Sequence, residues 1–247
     1  MFSEDFDPQN TYKVKKISGE NIPDGVEAIF LDFACADRVS YQFHRFKIPA
    51  VYLEIAKNAE KNAIDLIPCI KQEKAGKKQI KLFSDENGSV WNYFSYLFTS
   101  VVFSYMALEA NVNAMLPKEI NTENYINIPA LSEIKKNSAL LILKSEVERQ
   151  CSLDQKIFEI LPGIKNFNTS NLKRERSNFL NLSKLRNILM HLKDNDVRTG
   201  RNKKENILYK KIWDRLIPRF REKKLRFYPS VVSLKIINEL KKADGQK

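Results

Sequence analysis

Within LSKLRNILMHLK (residues 182–193) stand Arg186, Asn187 and, one helical turn after the asparagine, His191. These are the residue types on which metal-free cleavage of a phosphodiester calls. A histidine titrates near neutrality, so it can take the proton of a ribose 2′-hydroxyl or hand one to a departing 5′-oxygen. An arginine stays charged, and its planar fork matches two phosphate oxygens. An asparagine can orient the imidazole or the scissile phosphate. The chain has only one other histidine, His44 in YQFHRF, which lacks comparable neighbours and reads as structural. One histidine serves one of the two proton transfers. A twofold pair would bring two copies of Arg186, Asn187 and His191 to one cleft.

The element that must carry these residues is a helix. At 100° per residue, Leu185, Ile188, Leu189 and Leu192 gather on one side as a core face. Asn187 and His191, four apart, fall together on the opposite side, flanked by Arg186 and by Met190. A methionine on that polar flank points to something covering it, such as a second subunit. Further helices are predicted over VEAIFLDFACADRVSYQFHRF (26–46), from Pro49 through PAVYLEIAKNAEKNAIDLI, and over about 90–116. Shorter ones follow in IPALSEIKKNSALLILKSEVERQ and in DQKIFEIL, closed by LPG. ENILYKKIWDRLIPRF and SVVSLKIINELKK complete the chain. A short strand is expected at YKVKKI (12–17), and KQEKAGKKQIK reads as a solvated connection.

The run from Asn87 to Leu108 carries no charge and is long enough to cross a bilayer. Its serines, asparagine and many aromatic rings fit a central buried helix better, so no membrane partner is expected. Glu109 ends that run, with Asn113 four residues on along the same face. Both are supporting candidates: a buried Glu109 would need a partner such as Arg186 or His191. The other reading of Glu109 is a charge at the point where the helix emerges into solvent.

The net charge of +12 is one-sided. Residues 173–247 hold 22 lysines and arginines against 8 acids, while the preceding 172 residues are close to neutral. Such a field attracts polyanions, nucleic acid first. In the loop after the motif, Arg198, Arg201, Lys203 and Lys204 are the expected RNA-binding residues. Three widely spaced cysteines give neither a disulfide framework nor a zinc site, and they fit a reducing compartment. The N-terminal MFSEDFDPQN is unlike a secretory leader, so a cytoplasmic protein is expected. Neither metal nor other cofactor is expected. There is no Gly-rich phosphate loop, no H-E-x-x-H pair and no G-x-S-x-G elbow.

Arg186-Asn187-Ile188-Leu189-Met190-His191 resembles the signature of the HEPN superfamily: arginine, a polar residue that is often asparagine, three variable residues, then histidine. SYMALEANVNAML is similar to the upstream helix of many members, and SLDQKIFEIL before the motif helix fits the family order. The resemblance spans about residues 45–195. It implies an all-α helical bundle at 46–195, with an N-terminal segment (1–45) of uncertain role and basic C-terminal helices (196–247). It further implies a dimeric, metal-independent endoribonuclease, often a toxin or phage-defence effector, with a cognate antitoxin protein or RNA as a further partner. Arg186, Asn187 and His191 would be its catalytic set. Two rivals remain open: a non-catalytic RNA-binding member, and a regulatory helical protein whose basic tail meets an acidic partner.

Overall fold

A computed structural model describes residues 31–36, 39–44, 47–76, 79–83, 88–121, 125, 127–134, 141–166, 170–190 and 214–245. The chain divides into two compact units, 1–47 and 48–247. In the first, β1 (Leu31–Ala36) pairs antiparallel with β2 (Val39–His44), Ala36 opposite Val39 and Leu31 opposite His44. This hairpin replaces the helix expected over 26–46. VSYQFH alternates apolar and polar residues with period two, and Val, Tyr and Phe favour strands, so the strand pattern prevails over a loose helical one. The strand expected at 12–17 lies outside the described residues.

The second unit is helical. It opens with α1 (Ile48–Leu66), extended by a 3₁₀ turn at Ile67–Cys69. Next come β3 (Lys71–Gly76) and β4 (Gln79–Phe83), an antiparallel hairpin with a bulge between Lys74 and Gly76. It takes the place of the solvated connection that the sequence predicts there. The register sets Glu73 opposite Lys81.

The long uncharged run forms α2 (Ser89–Met115), 27 residues that pack against α1, α7 (Ser170–Met190) and α8 (Pro229–Gly245). Among the described residues no helix is long and apolar enough to cross a membrane. The serines that break the apolar run have a packing role. Ser100 and Ser104 are fully buried, and small residues on α1 (Ala56, Ala59, Ala63) keep that helix slender where it meets the core. Glu60 of α1 is buried at the start of α8, where it accepts from Ser230 N–H (2.7 Å), Ser230 Oγ (2.6 Å) and Ser100 Oγ (2.9 Å). It thereby caps a first-turn N–H that would otherwise be orphaned. One turn on, Ser233 Oγ donates to the Ser104 carbonyl at 2.8 Å. Burial pushes the Glu60 carboxyl above its ordinary range, against the lowering pull of those hydrogen bonds and of Lys57.

Between α2 and α7 the chain makes β5 (Glu119–Asn121), α3 (Pro129–Ile134), β6 (Leu141–Leu143) and α4 (Lys144–Gln150), with β5 antiparallel to β6. The sequence does not predict this strand pair. One helical stretch then runs from α5 (Leu153–Gln155) through a π turn at Lys156–Ile160 into α6 (Leu161–Lys165). Its start is boxed: Ser152 N–H donates to Gln155 Oε1 at 2.8 Å and Gln155 N–H to Ser152 Oγ at 3.3 Å. Contrary to expectation, LPG does not close the helix. Pro162 lacks an N–H and its ring crowds the carbonyl four residues back, and the wider π turn before it relieves both faults. Among the described residues the second unit is therefore an all-α assembly trimmed by two short strand pairs.

Gly163 sits inside α6 because there is no room for a side chain. A Cβ would clash with Ile128 Cδ1 and come within 2.8 Å of its Cγ1. Gly163→Ala gains about 1 kcal/mol of helix propensity but overpacks at a cost of about 1–3 kcal/mol. A net loss of about 1 kcal/mol is expected in denaturant unfolding. A more stable variant would show that Ile128 yields freely.

Candidate active site

The site is assembled by α7 lying across α2 and the 153–165 helix. Leu172, Phe179, Leu182 and Leu185 are buried and anchor α7 to the core, while Ile188 and Leu189 pack at its edge. Asp154 and Arg176 tie α7 to the 153–165 helix: Arg176 Nη2 donates to Oδ2 at 2.7 Å and Nε to Oδ1 at 3.3 Å. The Arg176 guanidinium also covers the Phe158 ring at 5.1 Å. Phe158 meets Phe179 at 5.6 Å, and Phe179 stacks on Tyr105 at 6.5 Å. On the Tyr105 ring, 5.1 Å away, lies Arg186. Three aromatic rings thus run between two arginines, and the second arginine belongs to the motif.

Arg186 is half-buried, and its Nη1 donates to Asn187 Oδ1 at 3.1 Å. Among the described residues this is its one hydrogen bond, so most of the five guanidinium N–H donors stay available for an anion. The ring face fixes the guanidinium at little entropic cost, since both groups are planar and rigid. Asn187 is exposed, and Met190 at the end of α7 is 53% exposed. Asn187 and Met190 therefore face outward, as the helical spacing of the sequence predicts, while Arg186 lies over Tyr105. His191, Arg198, Arg201, Lys203 and Lys204 lie outside the described residues.

Glu109 and Asn113 stand one turn apart on α2, both half-buried. Among the described residues Glu109 makes no direct ion pair with Arg186. It acts through space, and its carboxylate raises the Tyr105 phenol, second to burial, while Arg186 and a hydrogen bond with Ser183 pull that phenol down. Asn113 holds Lys156, a residue that the sequence alone did not single out. Lys156 is 1% exposed, and its Nζ donates to Asn113 Oδ1 (3.1 Å) and to the Glu148 carbonyl (3.0 Å). Burial pushes the ammonium below its ordinary range, against the raising pull of Glu109, Cys151 and Glu148. A signal was present, because Lys156 falls three residues after Leu153 and four before Ile160, inside the apolar face of its helix.

The structure thus brings together Arg186, Asn187 and Tyr105, with Glu109 and Asn113 on the following turns of α2 and Lys156 of the 153–165 helix bonded to Asn113. The arrangement offers a fixed, positively charged fork at the exposed end of a helix, with a carboxylate near enough to bias the charges around it. Among the described residues no three His, Cys, Asp or Glu side chains are grouped to hold a metal ion. No family model, curated protein or solved structure matches the chain.

Proposed function

We propose that the chain is a metal-independent endoribonuclease of HEPN type, acting in the cytoplasm as a homodimeric toxin or phage-defence effector. His191 serves as general base or acid, Arg186 clamps the scissile phosphate and its transition state, and Asn187 orients the reacting groups. The 2′-hydroxyl attacks phosphorus and the 5′-oxygen leaves, giving 2′,3′-cyclic phosphate and 5′-hydroxyl ends. One observation carries the reading. Arg186, the first residue of the R-N-x₃-H spacing, is seated on Tyr105 and, among the described residues, hydrogen-bonded to Asn187 alone. The excess of basic residues after position 172 supports RNA as the polyanion.

Incubating the protein with total RNA in EDTA, followed by end-group analysis, tests the reading directly. Cyclic phosphate ends are expected. RNA binding without any cleavage would move the assignment to a non-catalytic RNA-binding protein. The exposed Met190 beside Arg186 and Asn187 fits a twofold interface that pairs two copies of the motif. Met190→Asp buries a charge at such a seam, so sedimentation should show weaker dimers together with reduced cleavage. A strictly monomeric, fully active wild type would dismiss the dimer.

A further inference from the structure

A second basic site is lined, among the described residues, by none of Tyr105, Arg186 and Asn187. After α7, the segment RFREKKLR (219–226) carries five basic residues and one acid. It folds as a tight loop: Arg219 N–H donates to the Lys224 carbonyl at 2.8 Å, Glu222 N–H to the Arg219 carbonyl at 3.0 Å, and Lys223 takes a left-handed conformation (φ 50°). Two anchors hold this loop on the core. Leu225 is buried, and the Tyr93 hydroxyl of α2 donates to the Leu216 carbonyl at 2.7 Å just ahead of the loop. Facing it is the β3–β4 hairpin, which contributes Gln72 and Leu82.

Loop and hairpin line an open cavity of about 510 Å³, a size that suits a nucleotide. Its lining has two chemistries. Leu82, Ile217 and Phe220 supply an apolar wall, and Arg219, Arg221 and Arg226 supply guanidinium groups. Arg219 is partly neutralised by Glu222, with Nη1 3.3 Å from Oε2. Among the described residues Arg221 and Arg226 have no carboxylate partner, and both are exposed. Forks beside an aromatic and aliphatic wall match a planar base joined to a phosphate. A purely solvated basic surface has no use for the wall.

We infer that this cavity binds one nucleotide unit of single-stranded RNA, base against Phe220 and backbone phosphate on Arg221 and Arg226. The choice of RNA rests on the ribonuclease reading above. The role assigned here is different: the cavity grips the strand away from the cutting centre and so sets substrate affinity. A free mononucleotide offers the same chemistry, and the test separates the two sources.

The probe is a short, fluorescent, single-stranded 2′-O-methyl oligonucleotide, which lacks the attacking hydroxyl and stays intact. Arg221→Gln combined with Arg226→Gln is expected to weaken its binding about tenfold or more, and to flatten the log–log salt dependence by about 0.7 for each phosphate no longer gripped. Phe220→Ala is expected to cost about tenfold with the salt slope unchanged, as loss of one stacking platform does. The control is Lys57→Gln with Lys61→Gln, which removes as many charges from the exposed side of α1. An equal loss in the control would overturn the site in favour of a diffuse field. Competition by AMP as effective as by the oligonucleotide would overturn the strand assignment, and competition by inorganic phosphate equal to AMP would overturn the base contact. The two readings fail separately. A protein that never cuts RNA yet loses binding with Arg221 and Arg226 keeps the cavity and loses the enzyme. One that cuts RNA with KM and affinity indifferent to all three residues keeps the enzyme and loses the cavity.

Discussion

Replacing His191 by alanine is expected to lower RNA cleavage by about 10²–10⁴-fold, the usual cost of losing general acid–base help. The melting temperature should barely change, because a helical continuation of the sequence spacing would set position 191 opposite Leu185 and Leu189. Arg186→Lys should impair turnover as well. An ammonium keeps the charge but loses both the fork that grips two phosphate oxygens and the flat face that rests on Tyr105. The decisive set is cleavage, RNA affinity and melting, each measured for wild type and both variants. Wild-type cleavage by His191→Ala would end the proposed mechanism.

The largest effect on stability is expected at Glu60. Its carboxylate collects three donors from two other helices, Ser100 on α2 and Ser230, through both its N–H and hydroxyl, on α8. Glu60→Ala leaves all three without a partner in a buried place, a loss of about 3–5 kcal/mol in denaturant unfolding. A loss below about 1 kcal/mol would mean that water replaces the carboxylate at no cost. Acidity supplies an independent check. Burial raises the folded carboxyl above its ordinary value of 4.5, so between that value and the raised one the folded state holds the proton more firmly than the unfolded chain. The stability from this source is present in full below 4.5 and is lost as pH rises through the raised value. Glu60→Gln cannot titrate, so melting temperatures of wild type and variant should diverge across that window. Parallel curves would show that Glu60 ionises as readily in the folded protein as in the unfolded chain.

Much of the helical frame is legible in the sequence because its signals are local. Pro49 and the spacing after it mark α1, the uncharged run marks α2, and SVVSLKIINEL carries the repeat that buries Val232, Ile236, Ile237 and Leu240. The β3–β4 hairpin is not legible. Nothing within KQEKAGKKQIK distinguishes a solvated loop from an exposed strand pair, since pairing depends on a partner strand instead of on an apolar face. LPG misleads for a related reason. A proline ends a helix only where no local widening accommodates its ring, and the choice is made by the packing of Ile157, Ile160 and Leu161.

The candidate site divides in the same way. Spacing alone places Arg186 next to Asn187 on the polar flank of a helix and the leucines on the other side, because those relations follow from 3.6 residues per turn. Spacing cannot say what the guanidinium touches. Tyr105 lies 81 positions earlier and Lys156 lies 30 earlier, and they come to this corner because α2, α7 and the 153–165 helix bury their apolar faces on one another. Periodicity is a property of the backbone and can be read along the chain. Which face meets which is set by the joint packing of whole helices, and only the folded structure decides it.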